Sequence, residues 1–102
     1  MAVEQITAQD LHALGSDIVL VDVREDHEWV DARIPHAVHI PLGAVPATLG
    51  AFVGTPTYVI CKVGGRSQHA CDFAEAQGKQ VVNVAGGMVA WLRAGYTTES
   101  GT

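Results

Sequence analysis

The chain is poor in basic residues. Its 102 residues include six Lys and Arg against eleven Asp and Glu, which gives a formal net charge of −5. Because proteins that bind nucleic acids present a strongly basic surface, this balance argues against a nucleic-acid partner. Long apolar runs are lacking as well, so the sequence predicts no segment that crosses a bilayer and no membrane partner.

Cysteines are few, and the pattern of a secretory signal is missing. Cys61 and Cys71 are the two cysteines of the sequence, which is more typical of a reducing compartment than of a disulfide scaffold. They form no Cys-x-x-Cys pair, and the spacing of the histidines also argues against a metal site. Residues 1–9 lack the basic start and apolar middle of a signal peptide. We therefore expect a cytoplasmic protein without a metal or cofactor.

Short apolar runs alternate with segments of helical spacing along the chain. Buried strands are predicted at residues 18–21, 57–60 and 81–84, with a shorter strand within 34–41. Helices are predicted at residues 7–14, 25–30, 45–53, 67–77 and 88–94. This alternation predicts an α/β fold with a mostly parallel sheet covered on both faces. We expect one domain over residues 1–102, with an ordered core at about 4–96 and a flexible tail at 97–102.

The segment most suggestive of chemistry is residues 57–67, which reads Thr-Tyr-Val-Ile-Cys-Lys-Val-Gly-Gly-Arg-Ser. A predicted strand delivers Cys61 into a glycine-containing loop, and Ser67 is a favoured N-cap for the following helix. Inward-pointing N–H groups, the helix dipole and the cations Lys62 and Arg66 would all favour a thiolate. The alternative is a strand-end cysteine packed as a small hydrophobe. The loop as a whole favours a nucleophile with a lowered pKa.

Two further positions lie at the carboxyl edge of the predicted sheet, where open α/β proteins bind ligands. Asp22 and Arg24 follow the strand at 18–21. For Asp22 we favour a structural ion pair over catalysis, whereas Arg24 is either a loop brace or an anion contact. Cys71, one turn into the predicted helix, is either a resolving thiol or a small core residue, and we favour the core.

Four segments together resemble the rhodanese (sulfurtransferase) family in its single-domain form. They are residues 22–24 with 28–29, residues 34–37 with 40–41, the cysteine loop 61–67, and residues 86–95 with their Gly-Gly and Ala-Trp pairs. One departure is that residues 32–37 read Ala-Arg-Ile-Pro-His-Ala, where the family usually reads Gly-His-Ile-x-Gly-Ala. The departure affects a local turn, adds a cation and leaves the cysteine loop intact. The resemblance implies a three-layer α/β/α domain around a five-stranded, mainly parallel sheet.

The resemblance also implies a chemistry. The thiolate of Cys61 would take a sulfane sulfur from thiosulfate, a polysulfide or a persulfide, hold it as a persulfide, and pass it to cyanide or a thiol such as glutathione or thioredoxin. The loop N–H groups would cradle the charged sulfur. The predicted substrate-binding residues are Lys62, Val63, Gly64, Gly65, Arg66, Ser67 and Arg24, with Asp22 as structural support.

Two other functions remain open at this point. A cysteine-dependent phosphatase uses the same combination of thiolate, amide cradle and arginine. Its loop has five residues between cysteine and arginine, however, whereas four separate Cys61 from Arg66. A non-catalytic carrier or protein-binding module is the second alternative, because a fold does not guarantee a reaction. The intact cysteine and glycines favour the enzyme.

Overall fold

Five parallel strands form the centre of the protein in the computed structural model, which describes residues 2–102. The strands are β1 Glu4–Ile6, β2 Val19–Asp22, β3 Val38–His39, β4 Thr57–Ile60 and β5 Val81–Val84. Their order across the sheet is β1-β5-β4-β2-β3, and every pairing is parallel. The predicted five-stranded parallel sheet is therefore confirmed, with β4 at its centre.

Helices cover both faces of this sheet. They are α1 Ala8–Ala13, α2 Asp26–Asp31, α3 Gly65–Ala76 and α4 Gly87–Arg93, with two 3-10 helices, η1 Leu42–Ala44 and η2 Pro46–Ala51. Alternation along the strands divides the core, because successive side chains point to opposite faces. On β4, Val59 packs with α3 and the 3-10 helices, while Ile60 packs with α1 and α4. The α/β/α layering is confirmed. Within residues 2–102, no helix is long and apolar enough to span a membrane.

The helix predicted at 7–14 is α1, whereas two other local predictions are corrected. Thr7 caps α1 by accepting a hydrogen bond from the Asp10 backbone N–H at 3.1 Å. Strand β1 was not predicted, because it is a three-residue edge strand with mostly exposed positions. The predicted helix at 45–53 is the 3-10 helix η2, which is interrupted at Thr48 (φ −126°, ψ 27°). The 3-10 helix has a tighter turn than an α-helix, and sequence spacing alone does not distinguish the two over so short a segment.

The C-terminal segment 97–102, for which the sequence predicts a flexible tail, makes several contacts with Arg33. Arg33 and Glu99 exchange two backbone hydrogen bonds of 2.9 Å. The Arg33 guanidinium also donates to the Gly101 carbonyl at 2.7 Å and lies 5.1 Å from the centre of the Trp29 ring. Arg33 belongs to the segment that departs from the family pattern. The additional cation of this segment, Arg33, therefore contacts the C-terminal tail.

Candidate active site

Cys61 lies directly after the central strand β4, at the carboxyl edge of the sheet. The loop that follows is pinned against the start of α4, since the Cys61 and Lys62 carbonyls accept hydrogen bonds from Met88 N at 2.9 Å and Val89 N at 3.0 Å. This contact requires Gly87, where φ is +52° and a Cβ would overlap both carbonyl oxygens. The second glycine of the Gly-Gly pair thus lets α4 approach and fix the loop.

The Cys61 sulfur is held by hydrogen-bond donors from the loop and the first turn of α3. The backbone N–H of Gly64 donates to Sγ at 3.1 Å, and the Ser67 hydroxyl oxygen lies 3.2 Å from Sγ. Burial alone would raise the pKa of Cys61, but hydrogen bonds from the Ser67 side chain and from the backbone of Ser67, Gly64 and Val63 outweigh it and lower the pKa. The sulfur of Cys61 therefore lies among converging hydrogen-bond donors, as the predicted cradle requires.

Cys61 sits at the floor of this cradle, with 1% of its surface exposed. Lys62, Val63 and Gly65 form an exposed rim, and the Val63 side chain is 63% exposed. Gly64, in contrast, is buried. A reagent must therefore reach the sulfur through the rim with a narrow leading atom.

The helix after the loop does not begin where the sequence predicts. Gly64 is the N-cap of α3, with a φ of +111° that favours glycine, and the helix starts at Gly65. The prediction that Ser67 is the N-cap is therefore wrong. Ser67 instead lies fully buried in the first turn, where its hydroxyl points at the sulfur and at Asn83. As an N-cap, the Ser67 hydroxyl would accept a hydrogen bond from a backbone N–H. In the structure it contacts the Cys61 thiol instead.

Arg66 is committed to an ion pair that the sequence did not predict. Its two terminal nitrogens donate to Glu28 Oε1 and Oε2 at 2.6 and 2.9 Å. The hydrogen bonds from Arg66 lower the pKa of Glu28 to about 2, and Glu28 in turn raises the pKa of Arg66. Among residues 2–102, no acidic side chain forms a salt bridge with Lys62. Of the two predicted loop cations, Lys62 thus keeps an uncompensated charge.

Arg24 acts as a loop brace. Its buried guanidinium donates to both Asp22 carboxylate oxygens at 2.7 to 3.0 Å, and also to the carbonyls of Glu28 and Ala32. Asp22 additionally accepts from the Arg24 backbone N–H at 2.9 Å. The predicted structural role of Asp22 fits this geometry. The prediction of Arg24 as a substrate contact does not fit, because its side chain is 6% exposed and its guanidinium is hydrogen-bonded within the protein.

A polar network behind the loop was missed by the sequence analysis. Asn83, in the middle of the buried strand β5, contacts the Ser67 hydroxyl at 2.6 Å and the Gly64 carbonyl at 3.3 Å. An asparagine inside an apolar run is the signal that could have revealed it, because a buried amide needs partners.

Cys71 is also buried, which raises the pKa of its thiol to about 12 and fits a core role. In the part of the chain that is described, no group of three or more His, Cys, Asp or Glu could hold a metal ion.

Comparison with known proteins agrees with this geometry. The family model of the rhodanese-like domain matches residues 7–94. The chain belongs to the rhodanese-like domain family.

Curated relatives match about three quarters of the chain, and a solved structure matches nearly all of it. "Putative sulfurtransferase YtwF" of Bacillus subtilis is 43% identical over 76 residues, covering 74% of each protein. A sulfurtransferase of Allochromatium vinosum is 36% identical over 81 residues, covering 78% of this chain and 76% of that protein. The rhodanese-related protein of Thermoplasma volcanium superposes with a TM-score of 0.87 at 29% identity, covering 94% of this chain and 97% of that one. These similarities support a sulfurtransferase-type role.

Proposed function

We propose that this protein moves a sulfane sulfur from a small anionic donor to a thiol or cyanide acceptor through a persulfide on Cys61. Thiosulfate, a polysulfide or a persulfide are the donors we favour, and glutathione or thioredoxin the physiological acceptors. The observation that carries the proposal is the coordination of Cys61 Sγ by the Gly64 N–H at 3.1 Å and the nearby Ser67 hydroxyl. Donors of this kind stabilise a charged sulfur at a position fixed before the reaction.

With thiosulfate, the chemistry balances as two displacements. The Cys61 thiolate attacks the outer sulfur of the donor, the donor S–S bond breaks, and its electron pair leaves with sulfite. A new S–S bond joins Sγ to the transferred sulfur, which now carries the negative charge. Cyanide or an acceptor thiolate then attacks that outer sulfur, and the electron pair of the broken bond returns to Sγ. Such covalent catalysis predicts ping-pong kinetics.

The depth of Cys61 supports a donor with a slender terminal sulfur. Only 1% of the residue is exposed, so a donor whose reactive sulfur is flanked by bulky groups meets the loop rim first. Once transferred, the outer sulfur stands about 2 Å beyond Sγ, because that is the length of an S–S bond. The acceptor therefore meets a more accessible atom than the donor does. Lys62 is the exposed cation that would attract an anionic donor to this rim.

The geometry of Arg66 favours sulfur transfer over phosphatase chemistry. A phosphatase needs its loop arginine to clamp the phosphoryl oxygens. Here that guanidinium is engaged by both oxygens of Glu28, and the loop is one residue shorter than in phosphatases. A purely non-catalytic module is disfavoured, since it would not require a cysteine whose pKa is lowered by converging donors.

Intact mass measurement after incubation with thiosulfate tests the proposal. We expect the wild-type chain to gain one sulfur atom, Cys61→Ser to gain none, and Cys71→Ala to behave as wild type. Cleavage of a phosphate ester without any sulfur gain would instead indicate a phosphatase. No reaction with thiosulfate, polysulfide or phosphate ester would indicate a binding module. Comparing kcat/KM for glutathione, thioredoxin and cyanide would then rank the acceptors.

A further inference from the structure

The Ser67 hydroxyl lies within hydrogen-bond distance of more acceptors than it can donate to. Its Oγ lies 3.2 Å from Cys61 Sγ, 3.2 Å from the Gly64 carbonyl oxygen and 2.6 Å from Asn83 Oδ1. A hydroxyl carries a single proton and can donate one strong hydrogen bond at a time. The shortest of the three contacts is the one to Asn83, and this cluster lies in the buried part of the loop.

The orientation of the Asn83 amide is fixed by a neighbour that can only accept. Asn83 Nδ2 lies 3.3 Å from the Gly64 carbonyl oxygen, and a carbonyl has no proton to offer. The nitrogen must therefore point to Gly64, which leaves the oxygen facing Ser67.

Two glutamines hold the same orientation from the outside. Gln68 Nε2 donates to the Asp72 carboxylate at 2.9 Å, so its oxygen is turned to Asn83 Nδ2 at 3.2 Å. Gln5 Nε2 donates to Gln68 Oε1 at 2.6 Å, so its own oxygen accepts from Asn83 Nδ2 at 2.9 Å. Reversing the Asn83 amide would place its oxygen against both glutamine oxygens. Asn83 Oδ1 is thus a permanent acceptor beside Ser67.

We propose that Asn83 is a positioning residue that competes with Cys61 Sγ for the Ser67 proton, so that the hydroxyl turns to the sulfur when Sγ is charged and to Asn83 when it is not. When Sγ is a thiolate, it is the stronger acceptor and draws the Ser67 proton. When a sulfur has been attached, the charge lies on the outer sulfur, Sγ becomes a weak acceptor, and Asn83 Oδ1 takes the hydroxyl. No buried donor is left unpaired in either state.

This role in transfer rests on the proposed persulfide, whereas the competition itself needs only the thiol and thiolate forms of Cys61. Because Asn83 Oδ1 draws the hydroxyl away from Sγ, it makes the resting thiolate less stable than Ser67 alone would. It stabilises the loaded state by the same contact. The contact between Asn83 and Ser67 would therefore reduce the difference in free energy between the enzyme with a charged thiolate and the enzyme loaded with sulfur.

The pH dependence of Cys61 alkylation by iodoacetamide tests the competition, in a Cys71→Ala background so that one thiol reacts. We expect Asn83→Ala to move the midpoint down by roughly 0.5 to 1 pH unit, since Sγ then receives the full Ser67 hydrogen bond. Ser67→Ala should move the midpoint up. In the Ser67→Ala background, Asn83→Ala should have no further effect.

The charged and titratable groups around Cys61 stay the same in all of these proteins. Arg66 interacts electrostatically with Cys61 and is paired with Glu28. Lys62 is the adjacent cation, and His69 lies further along α3. Differences between the midpoints therefore report the Ser67 and Asn83 contacts. A role for Asn83 in packing alone would give the same shift with and without Ser67, and that result would overturn the proposal.

A second variant keeps the test decisive if Asn83→Ala does not fold, as judged by thermal unfolding followed by circular dichroism. Asn83→Leu has nearly the same shape, removes the acceptor beside Ser67 and adds no charge, so the midpoint should fall as in Asn83→Ala, and it should not fall in the Ser67→Ala background. A fall of the same size without Ser67 would contradict the competition. Single-turnover loading with thiosulfate separates the two proposals. If no protein loads, wild type included, the proposed function fails while the alkylation result still decides the role of Asn83.

Discussion

Replacing Glu28 with glutamine should release Arg66 into the active-site loop. The carboxylate accepts hydrogen bonds from both terminal nitrogens of Arg66. It also caps α2 by accepting a hydrogen bond from the Glu25 backbone N–H at 3.1 Å. Glutamine keeps the shape and one acceptor oxygen, so that the cap can persist while the charge is lost. The variant therefore isolates the electrostatic part of the contact.

The magnitude follows from the pKa and the exposure of the pair. A carboxyl pKa held at about 2 corresponds to about 3 kcal/mol of differential interaction at neutral pH. The Arg66 side chain is 34% exposed and that of Glu28 17%, so solvent screening reduces the net contribution. We expect Glu28→Gln to lower the free energy of unfolding by about 1 kcal/mol at pH 7.

The pH dependence has a definite sign. Because the folded state lowers the pKa of Glu28 from 4.5 to about 2, the stabilisation is complete above the unfolded value and is lost as the pH falls through that window. Urea unfolding of wild type and Glu28→Gln should therefore differ at pH 7 and converge near pH 2. Asp26→Asn is the matched control, since it removes a 91% exposed carboxylate from the same helix.

Donor kinetics provide the functional readout of the same variant. With Arg66 released, the loop gains a second uncompensated cation, and KM for the dianion thiosulfate should fall about threefold at low salt, less at high salt. Asp26→Asn should leave KM nearly unchanged. A stability difference that is independent of pH, or a KM that rises in Glu28→Gln, would refute the reasoning.

Three further predictions concern the loop, the tail and the nucleophile. Gly87→Ala should destabilise the fold by about 3 kcal/mol in urea unfolding, because its Cβ would overlap the loop carbonyls. Gly43→Ala is the control, since a Cβ there meets open space, and it should cost less than about 1 kcal/mol. Equal effects of the two substitutions would contradict this account. Arg33→Ala should increase amide exchange in residues 99–101, because the Arg33 guanidinium contacts the Glu99 carboxylate and donates to the Gly101 carbonyl; unchanged exchange would show that the backbone bonds of Arg33 and Val30, which the variant keeps, are enough to hold the tail. Alkylation of Cys61 should be half-maximal at a pH below that of free cysteine, since its pKa is lowered; a midpoint at or above the free value would contradict the cradle.

Sequence periodicity sufficed for the elements with continuous apolar runs. Strands at 57–60 and 81–84 lie where predicted, because strands buried on both faces consist mostly of β-branched and other apolar residues. The edge strand β1 lacks that pattern. The prediction of Ser67 as N-cap failed because Gly64, three residues earlier, adopts a left-handed conformation and starts the helix there.

Within the site, the sequence around Cys61 predicted the candidate nucleophile but not the distant residues that contact its loop. Cys61, its glycines and its cations are adjacent in the chain, so their grouping is visible in one segment. Glu28 lies 38 positions from Arg66, and Asn83 lies 16 positions from Ser67. Only the pairing of strands and the packing of helices bring these side chains together. The sequence therefore overstated the positive charge of the loop and gave no role to Asn83.

Locating the transferred sulfur tests the central claim most directly. The protein is loaded with thiosulfate or inorganic polysulfide, trapped with an alkylating reagent, digested, and mapped by mass spectrometry. The account predicts an alkylated persulfide on the peptide that contains Cys61, with none on the peptide that contains Cys71. A sulfur found elsewhere, or turnover that persists in Cys61→Ser, would contradict it.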